Sequence, residues 1–434
     1  MNEYPSQLEI VPVSHPPHKA IEVPGSKSIT NRAFILAALC SQSHEHCTLS
    51  GWLNSEDTGV MLECLESLGY PTNLSKDRVG FNRNYTDRLV PNEAADLFVG
   101  NSGTTMRFLT AMLALGRGRY RLDGVPRMRE RPIQDLLDAL GQLGVKAFSE
   151  MGNGCPPVII EAGGLRGGHV KIRGSVSSQF LSGLLMASPF AESDVHIEVD
   201  GPLVSVPYVD MTLAMMRQFN LQVEHDNRRL FRIPGRQRGG IDIYRIEPDA
   251  SAASYFYAAA AITGGKIVVP FLGTRSLQGD VRFVDLLEQM GCRVQRWPEV
   301  IDVTGGTLHG IDADMNDISD TAMTLAAVAC FASGPTTIRN VAHIRHKETD
   351  RLAALATELR RLGAIVDERG DGLTITPAPL RGAVVQTYND HRMAMSLALI
   401  GLKVPGVVID NPSCVAKTYP NFFDDFSRAF GDSA

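Results

Sequence analysis

Cationic side chains recur in this sequence where helix physics disfavours them. In "VPGSKSITNRAFILAALC" (23–40), Lys27, Ser28 and Arg32 crowd the mouth of a run that is otherwise apolar. "RMRERP" sets Arg131 ahead of Pro132, and "RHKETDR" packs Lys347, Glu348, Asp350 and Arg351 together. "YNDHR" opens another apolar run with Arg392, and "CVAKTYP" holds Lys417. A helix N-terminus carries partial positive charge, so a cation there is opposed unless an anion joins it. The free N–H groups at the same place make it an anion site. These residue types therefore suit the binding of small anions, phosphates or carboxylates. "GNSGTTMR" (100–107) adds Gly100 and Gly103 around a helix start, where a missing Cβ lets a ligand reach backbone N–H groups. The spacing in "EVPGSKS" is not that of a nucleotide P-loop. Singly, the motifs have plain readings: a solvated charged face for 345–351, an N-cap for Asp320 in "ISDTAMT". Caps account for Ser, Asp and Asn, but not for cations that return at the same point.

The elements that must position these groups repeat six times. One helix pattern is "MLECLESLG", "IQDLLDALGQLG", "MTLAMMRQFN", "VRFVDLLEQMG", "LAALATELRRLG" and "DDFSRAFG", closing at 69, 144, 220, 291, 363 and 431. Its Leu and Met spacing predicts amphipathic helices, with Gly or Asn as a left-handed stop. A second pattern is "SKSITNRAFILAALC", "NSGTTMRFLTAMLALG", "SVSSQFLSGLLMASPF", "DASAASYFYAAAAITGG", "SDTAMTLAAVACFASG" and "NDHRMAMSLALIGL". Each opens on a cap residue and is apolar nearly all round, which predicts helices buried on every side. Short β-branched runs lie between them, among them "HVKIRG", "DVHIEVD", "KIVVPF", "TTIRNV" and "LTITPA".

The pattern predicts an α/β protein of two similar domains, each of three repeated units. "GRQRGGIDIYRIEPDAS" (235–251) reads as one crossing between domains and Pro24-Gly25 as the other, after an N-terminal strand at 7–13. The expected N-terminal domain is 25–247, and the expected C-terminal domain is 1–24 plus 248–434.

At 434 residues, 44% hydrophobic and 21% charged, the chain is large enough for two cores and too apolar to be disordered. Its net charge of −6 argues against general nucleic-acid or anionic-membrane binding. The longest uncharged apolar run, 250–265, is shorter than the ~20 residues of a membrane span. The start, "MNEYPSQLEIV", carries no export or organelle signal pattern. Seven cysteines without C-x-x-C suggest reduced thiols in a cytoplasmic protein, with Cys40 and Cys330 as core. His44, His46 and Cys47 in "SQSHEHC" have metal-ligand types, but a polar turn after a helix reads as a solvated loop.

The runs "PGSKSITNR", "GNSGTTMR", "PRMRERPI", "GSVSSQF", "DASAASYF", "KETDRL", "NDHRMAM" and "AKTYP" stand in one order from residue 24 to 420. In that order they resemble the 5-enolpyruvylshikimate-3-phosphate synthase family, enolpyruvyl transferases that join phosphoenolpyruvate to shikimate 3-phosphate. The resemblance implies an inside-out α/β barrel in each domain, with buried parallel helices, outer sheets and an active site in the interdomain cleft. It implies that Lys27 and Ser28 hold both substrates and that Arg32 pairs with the shikimate carboxylate. Ser177, Ser178 and Gln179 would hold the shikimate-bound phosphate, Gln179 also reaching the second substrate. Ser205 and Tyr208, with His343 and Lys347 from the other half, would line the same pocket. Phosphoenolpyruvate would lie against Lys27, Gly103, Arg131, Arg351, Arg392 and Lys417. The two substrates bring about five to six negative charges, and the seven cations named are enough to meet them.

Family roles also fall on Asp320, as acceptor of the hydroxyl proton, and Glu348, as donor to the methylene carbon, with Lys347 or Lys27 able to share in proton transfer. A protonated Glu348 would form against the pull of Lys347 and Arg351. No metal or organic cofactor, nucleic acid or membrane is implied, and a monomer is expected. Two positions depart from the family pattern: His343 stands where Asn is usual, and Phe108 where inhibitor-sensitive relatives have Pro. One rival is UDP-N-acetylglucosamine enolpyruvyl transferase, many of which have a Cys in the loop matching "GVPRMRERPIQD"; that loop has none here. The other rival is a non-catalytic repeat protein that binds phospho-ligands.

Overall fold

Twelve α-helices of two kinds alternate along residues 4–431, the part of the chain that the computed structural model describes. Six are buried nearly all round: α1 (Lys27–Cys40), α3 (Gly103–Leu113), α5 (Ser178–Ala187), α7 (Ala250–Thr263), α9 (Ala322–Ala329) and α11 (His391–Gly401). Between them come α2 (Glu56–Ser67), α4 (Gln134–Gln142), α6 (Val206–Gln218), α8 (Phe283–Gln289), α10 (Arg351–Arg361) and α12 (Phe422–Phe430). These bury one side, as their periodicity requires. In α12, the rings of Phe422, Phe426 and Phe430 meet in sequence, tilted and then edge-to-face, with centroids 5.3 and 4.8 Å apart. Each such buried ring contributes roughly 1.5–3 kcal/mol.

Local chemistry sets most helix ends. Ser26, Ser102, Ser177, Asp249 and Asp390 accept backbone N–H groups at the starts of α1, α3, α5, α7 and α11. Helix α9 breaks the rule: a 3-10 turn, Asn316–Thr321, runs straight into it, and Asp320 lies inside that turn instead of capping. Gly69, Gly144, Asn220, Gly291 and Gly363 follow their helices at φ between +60° and +109°. Gly431 does not, with φ −66° and ψ 144°, so α12 ends in extended chain.

Six sheets share one wiring: a parallel pair of strands, with an antiparallel strand added to the second. In Gly168–Arg173 and Val195–Asp200 the parallel register sets Val170 beside Ile197, and Leu230–Ile233 then pairs antiparallel. Five sheets extend this to four strands, and the sixth has three. None closes on itself among the described residues, so the sheets stay separate around the buried helices. His46–Ser50 is a paired strand, not the loop expected there.

The chain divides into two compact units, Gly25–Ile246 and the remainder, which takes in Glu247 onward and the segment before Gly25. That segment supplies two strands to its unit. Gln7–Glu9 pairs with Val408–Asp410, and His18–Ala20 pairs with Lys266–Val268. The N-terminal strand is shorter than the expected 7–13, since Pro12 has no N–H to donate.

The buried helices within a unit run the same way. In Gly25–Ile246, Arg32 of α1 reaches Ser182 of α5 and covers the ring of Phe108 of α3, all one turn in. At the far ends Leu39, Leu115 and Phe190 line one cavity of about 490 Å³. In the other unit Ser254, Thr324 and Ser396 form a buried hydroxyl ladder, 3.2 and 3.4 Å, joining α7, α9 and α11. Parallel packing gathers three helix N-termini at one end of each unit. Among the described residues, no helix is long and apolar enough to cross a membrane.

Candidate active site

The Gly25–Ile246 unit gathers its cations at the N-terminal ends of α1 and α3. Arg32 is buried, yet its hydrogen-bond partners are all neutral: Thr212 Oγ1 at 2.7 Å, the Ser28 carbonyl at 2.9 Å, the Tyr208 carbonyl at 3.2 Å and Ser182 Oγ at 3.3 Å. Its guanidinium also lies 5.1 Å from the Phe108 ring centroid, a cation–π contact. Burial pulls its pKa down to about 10, with the Tyr208 hydroxyl acting the other way. A charge taken out of water is costly until a counter-charge reaches it. Lys27 begins α1 and lies 3.5 Å from Asp57.

Gly103 opens α3 beside Arg131, whose Nη1 donates to the Asn101 carbonyl at 3.1 Å. A Cβ on Gly103 would collide with the guanidiniums of Arg107 and Arg131, so the glycine makes room for two arginines. At Gly100 the constraint differs: a Cβ would meet nothing, but φ is +55°. Gln179 Nε2 donates to Thr104 Oγ1 at 3.2 Å, linking the starts of α5 and α3. Ser177 caps α5 and Ser178 is its first residue. Ser205 precedes α6 in the left-handed region at φ 52°, ψ 46°, a conformation that costs a non-glycine residue energy.

The other unit gathers acids and cations together. Arg351 is buried and donates to Asp390 at 2.8 and 3.2 Å, to Glu348 at 2.8 Å and to Asp320 at 3.4 Å. Burial alone would lower its pKa, but Asp390, Glu348 and Asp320 outweigh that and raise it. Arg392 donates to Asp320 at 2.7 Å and to Tyr255 at 3.3 Å. Lys347 Nζ stands 3.9 Å from Asp320. His343 Nε2 pairs with Ser319 Oγ at 2.8 Å, and burial, then Lys347, push the imidazole pKa down to about 4, so it is neutral near pH 7. Lys417 is buried in a 3-10 turn, Pro412–Lys417, packed on α11. The arrangement combines three carboxylates on one guanidinium with cations fit to receive anions.

A family model described as EPSP synthase (3-phosphoshikimate 1-carboxyvinyltransferase) matches residues 14–426. The 3-phosphoshikimate 1-carboxyvinyltransferase of Trichormus variabilis is 47% identical over 425 residues, covering 98% of this chain and 99% of that one. The enzyme of the same name from Serratia proteamaculans is 50% identical over 412 residues, 94% of this chain and 95% of its own. Among solved structures, EPSP synthase from Acinetobacter baumannii superposes with a TM-score of 0.81 at 26% identity, covering 98% of both chains. The chain belongs to the EPSP synthase family.

Within that family frame, the structure brings several sequence-selected residues into contact. Ser28, Arg32 and Tyr208 meet in one unit, as do Gly103 and Arg131. Asp320, Lys347, Glu348, Arg351 and Arg392 form a single cluster in the other. Asp320 is a corrected case: its own reading was an N-cap, and it is instead the acceptor shared by two arginines. His44, His46 and Cys47 do not converge. His44 pairs with Asp242, His46 with Asn82 and Thr48, and Cys47 is buried with its thiol pushed up to about 12 by burial. No group of three or more metal-ligand side chains occurs among the described residues.

Sequence reasoning missed Thr212 and Ser182, which hold Arg32, and Asp57 beside Lys27. It also missed Asp390, which caps α11 and is the main ion-pair partner of Arg351. Thr212 and Ser182 carry no local signal, being ordinary hydroxyls in apolar runs far along the chain.

Proposed function

We propose that this chain transfers the enolpyruvyl group of phosphoenolpyruvate to the 5-hydroxyl of shikimate 3-phosphate. The products are 5-enolpyruvylshikimate 3-phosphate and inorganic phosphate, a step in the biosynthesis of aromatic amino acids. The observation that carries the reading is Arg351, one buried guanidinium that orients both Asp320 and Glu348. A binder needs cations; a catalyst of this reaction also needs two positioned carboxyl groups.

Glu348, protonated, gives its proton to the methylene carbon C3 of phosphoenolpyruvate while the 5-oxygen bonds to C2. Asp320 takes the hydroxyl proton, and Lys27 shares in proton transfer. The tetrahedral adduct then loses a proton from C3 and phosphate from C2, which restores the double bond. Arg32, Lys27, Ser28, Ser177, Ser178, Gln179, Ser205, Tyr208, His343 and Lys347 serve shikimate 3-phosphate. Lys27, Gly103, Arg131, Gln179, Arg351, Arg392 and Lys417 serve phosphoenolpyruvate, where paired guanidinium donors suit its carboxylate and phosphate. Arg32 supports the first assignment, as a buried cation with neutral partners awaiting a carboxylate. At His343 the neutral imidazole offers an N–H in place of the amide usual in the family. The protein acts as a cytoplasmic monomer without a cofactor.

Phosphate release should require both substrates, and UDP-N-acetylglucosamine should not replace shikimate 3-phosphate. E348Q should keep substrate affinity within a few-fold and lower kcat by about 10²–10⁴. Release with UDP-N-acetylglucosamine alone as acceptor would overturn the substrate assignment, and an unchanged kcat would remove Glu348 from the chemistry.

A further inference from the structure

Asp280 is a buried carboxylate that the reaction above does not use. It lies in the 3-10 turn Gly279–Arg282 and accepts the hydroxyl of Ser251 on the first turn of α7. Its neighbour Gln278 accepts the Ala250 N–H at 2.9 Å, which ties the same segment to the start of α7. Ser251 Oγ in turn accepts from Arg392 Nη2 at 3.4 Å. The same Nη2 donates to Asp320 at 2.7 Å, so its two hydrogens are divided between Ser251 and Asp320.

A serine hydroxyl has one proton. Only when that proton is committed elsewhere do its lone pairs stay turned toward a cationic donor. Asp280 supplies that commitment. Burial, then Asp320, push the Asp280 carboxyl up to about 6, with Ser251 and Arg392 pulling the other way.

We propose that Asp280 is a positioning residue: through the Ser251 hydroxyl it fixes the plane of the Arg392 guanidinium and so aligns Arg392 for phosphoenolpyruvate. The inference rests on Arg392 serving that substrate. Asp280 touches no reacting atom; it acts through a hydroxyl that commits one face of Arg392 and leaves the Asp320 contact intact.

The test is steady-state kinetics of D280A, S251A, S251T, the D280A/S251A double variant and R392K, varying each substrate separately. D280A and S251A should each raise the KM for phosphoenolpyruvate about tenfold, the scale of a hydrogen bond to a charged group. The KM for shikimate 3-phosphate should stay within about twofold, since the altered hydrogen bond serves Arg392 alone. The double variant should be no worse than the poorer single one, and S251T, which keeps the hydroxyl, should restore the wild-type value. If R392K raises the KM for phosphoenolpyruvate while S251A leaves it unchanged, this inference fails and the substrate reading stands. Additive losses in the double variant also overturn it. If R392K itself leaves that KM unchanged, the assignment of Arg392 fails instead. S251A removes a single oxygen, so the test survives a D280A variant that does not fold.

Discussion

At the scale of single residues, the units solve opposite electrostatic problems. Arg32 is buried among neutral acceptors, whereas Arg351 is surrounded by three carboxylates. The first is a buried cation with no counter-charge among its hydrogen-bond partners, and the second is a cation that organises charges already present. His343 is a third case, an imidazole kept neutral by burial. Its folded pKa, about 4, lies below the ordinary 6.5 of an unfolded chain. Its contribution to stability is therefore full above pH 6.5 and is lost as pH falls toward 4, because the unfolded chain binds the proton first. The loss amounts to about 3 kcal/mol over that window. H343N removes this titration. Urea unfolding at pH 7.5 and pH 5 should show H343N gaining about 2 kcal/mol on the parent at the lower pH. An equal difference at both pH values would mean that His343 titrates normally. Nothing local in "AHIRHK" announces this; burial against Ser319 decides it.

At the scale of elements, the same start of a buried helix is used in different ways. Ser102 caps α3, and Gly103 behind it leaves space for the guanidiniums of Arg107 and Arg131. G103A sets a methyl group against the far ends of two flexible side chains, so the helix absorbs it and gains helix propensity. The melting temperature should hold or rise slightly. The KM for phosphoenolpyruvate should rise at least about tenfold as Arg131 is displaced, the cost of a lost charged contact, while that for shikimate 3-phosphate changes little. Unchanged kinetics would mean that Arg131 does not serve the reaction from this position. The motif "GNSGTTMR" pointed to this helix start, and the structure supplies another reason for its second glycine: close-packed arginines. Asp320 teaches the reverse. Its sequence neighbourhood suggested a cap, but the 3-10 turn before α9 frees its carboxylate for Arg392, 72 residues away.

At the scale of the whole molecule, chain order and unit membership diverge. The segment before Gly25 belongs with Glu247 onward, adding Gln7–Glu9 and His18–Ala20 to two of that unit's sheets. Pro24 and Asp249 are joined by a 2.8 Å backbone hydrogen bond, so the unit's two chain segments meet there. A fragment spanning 25–246 should fold alone. A fragment starting at Glu247 should not, because two strands and their hydrogen bonds are missing. Joining Pro24 directly to Glu247 should restore cooperative thermal unfolding by circular dichroism. Cooperative melting of the fragment without its first 24 residues would show those strands to be dispensable.

The sixfold repeat, the two helix types, the caps of α1, α3, α5, α7 and α11 and most central strands were determined by the sequence itself. Each is specified within a few residues by periodicity, a cap side chain or β-branching. The candidate site was legible as a set of cations at helix starts, again because those residues sit beside their own caps. Which charges pair was left to tertiary structure. Thr212 reaches Arg32 across 180 positions and Ser251 reaches Arg392 across 141. Electrostatic and hydrogen-bond energies fall off with distance in space, and parallel packing of buried helices is what makes those distances short.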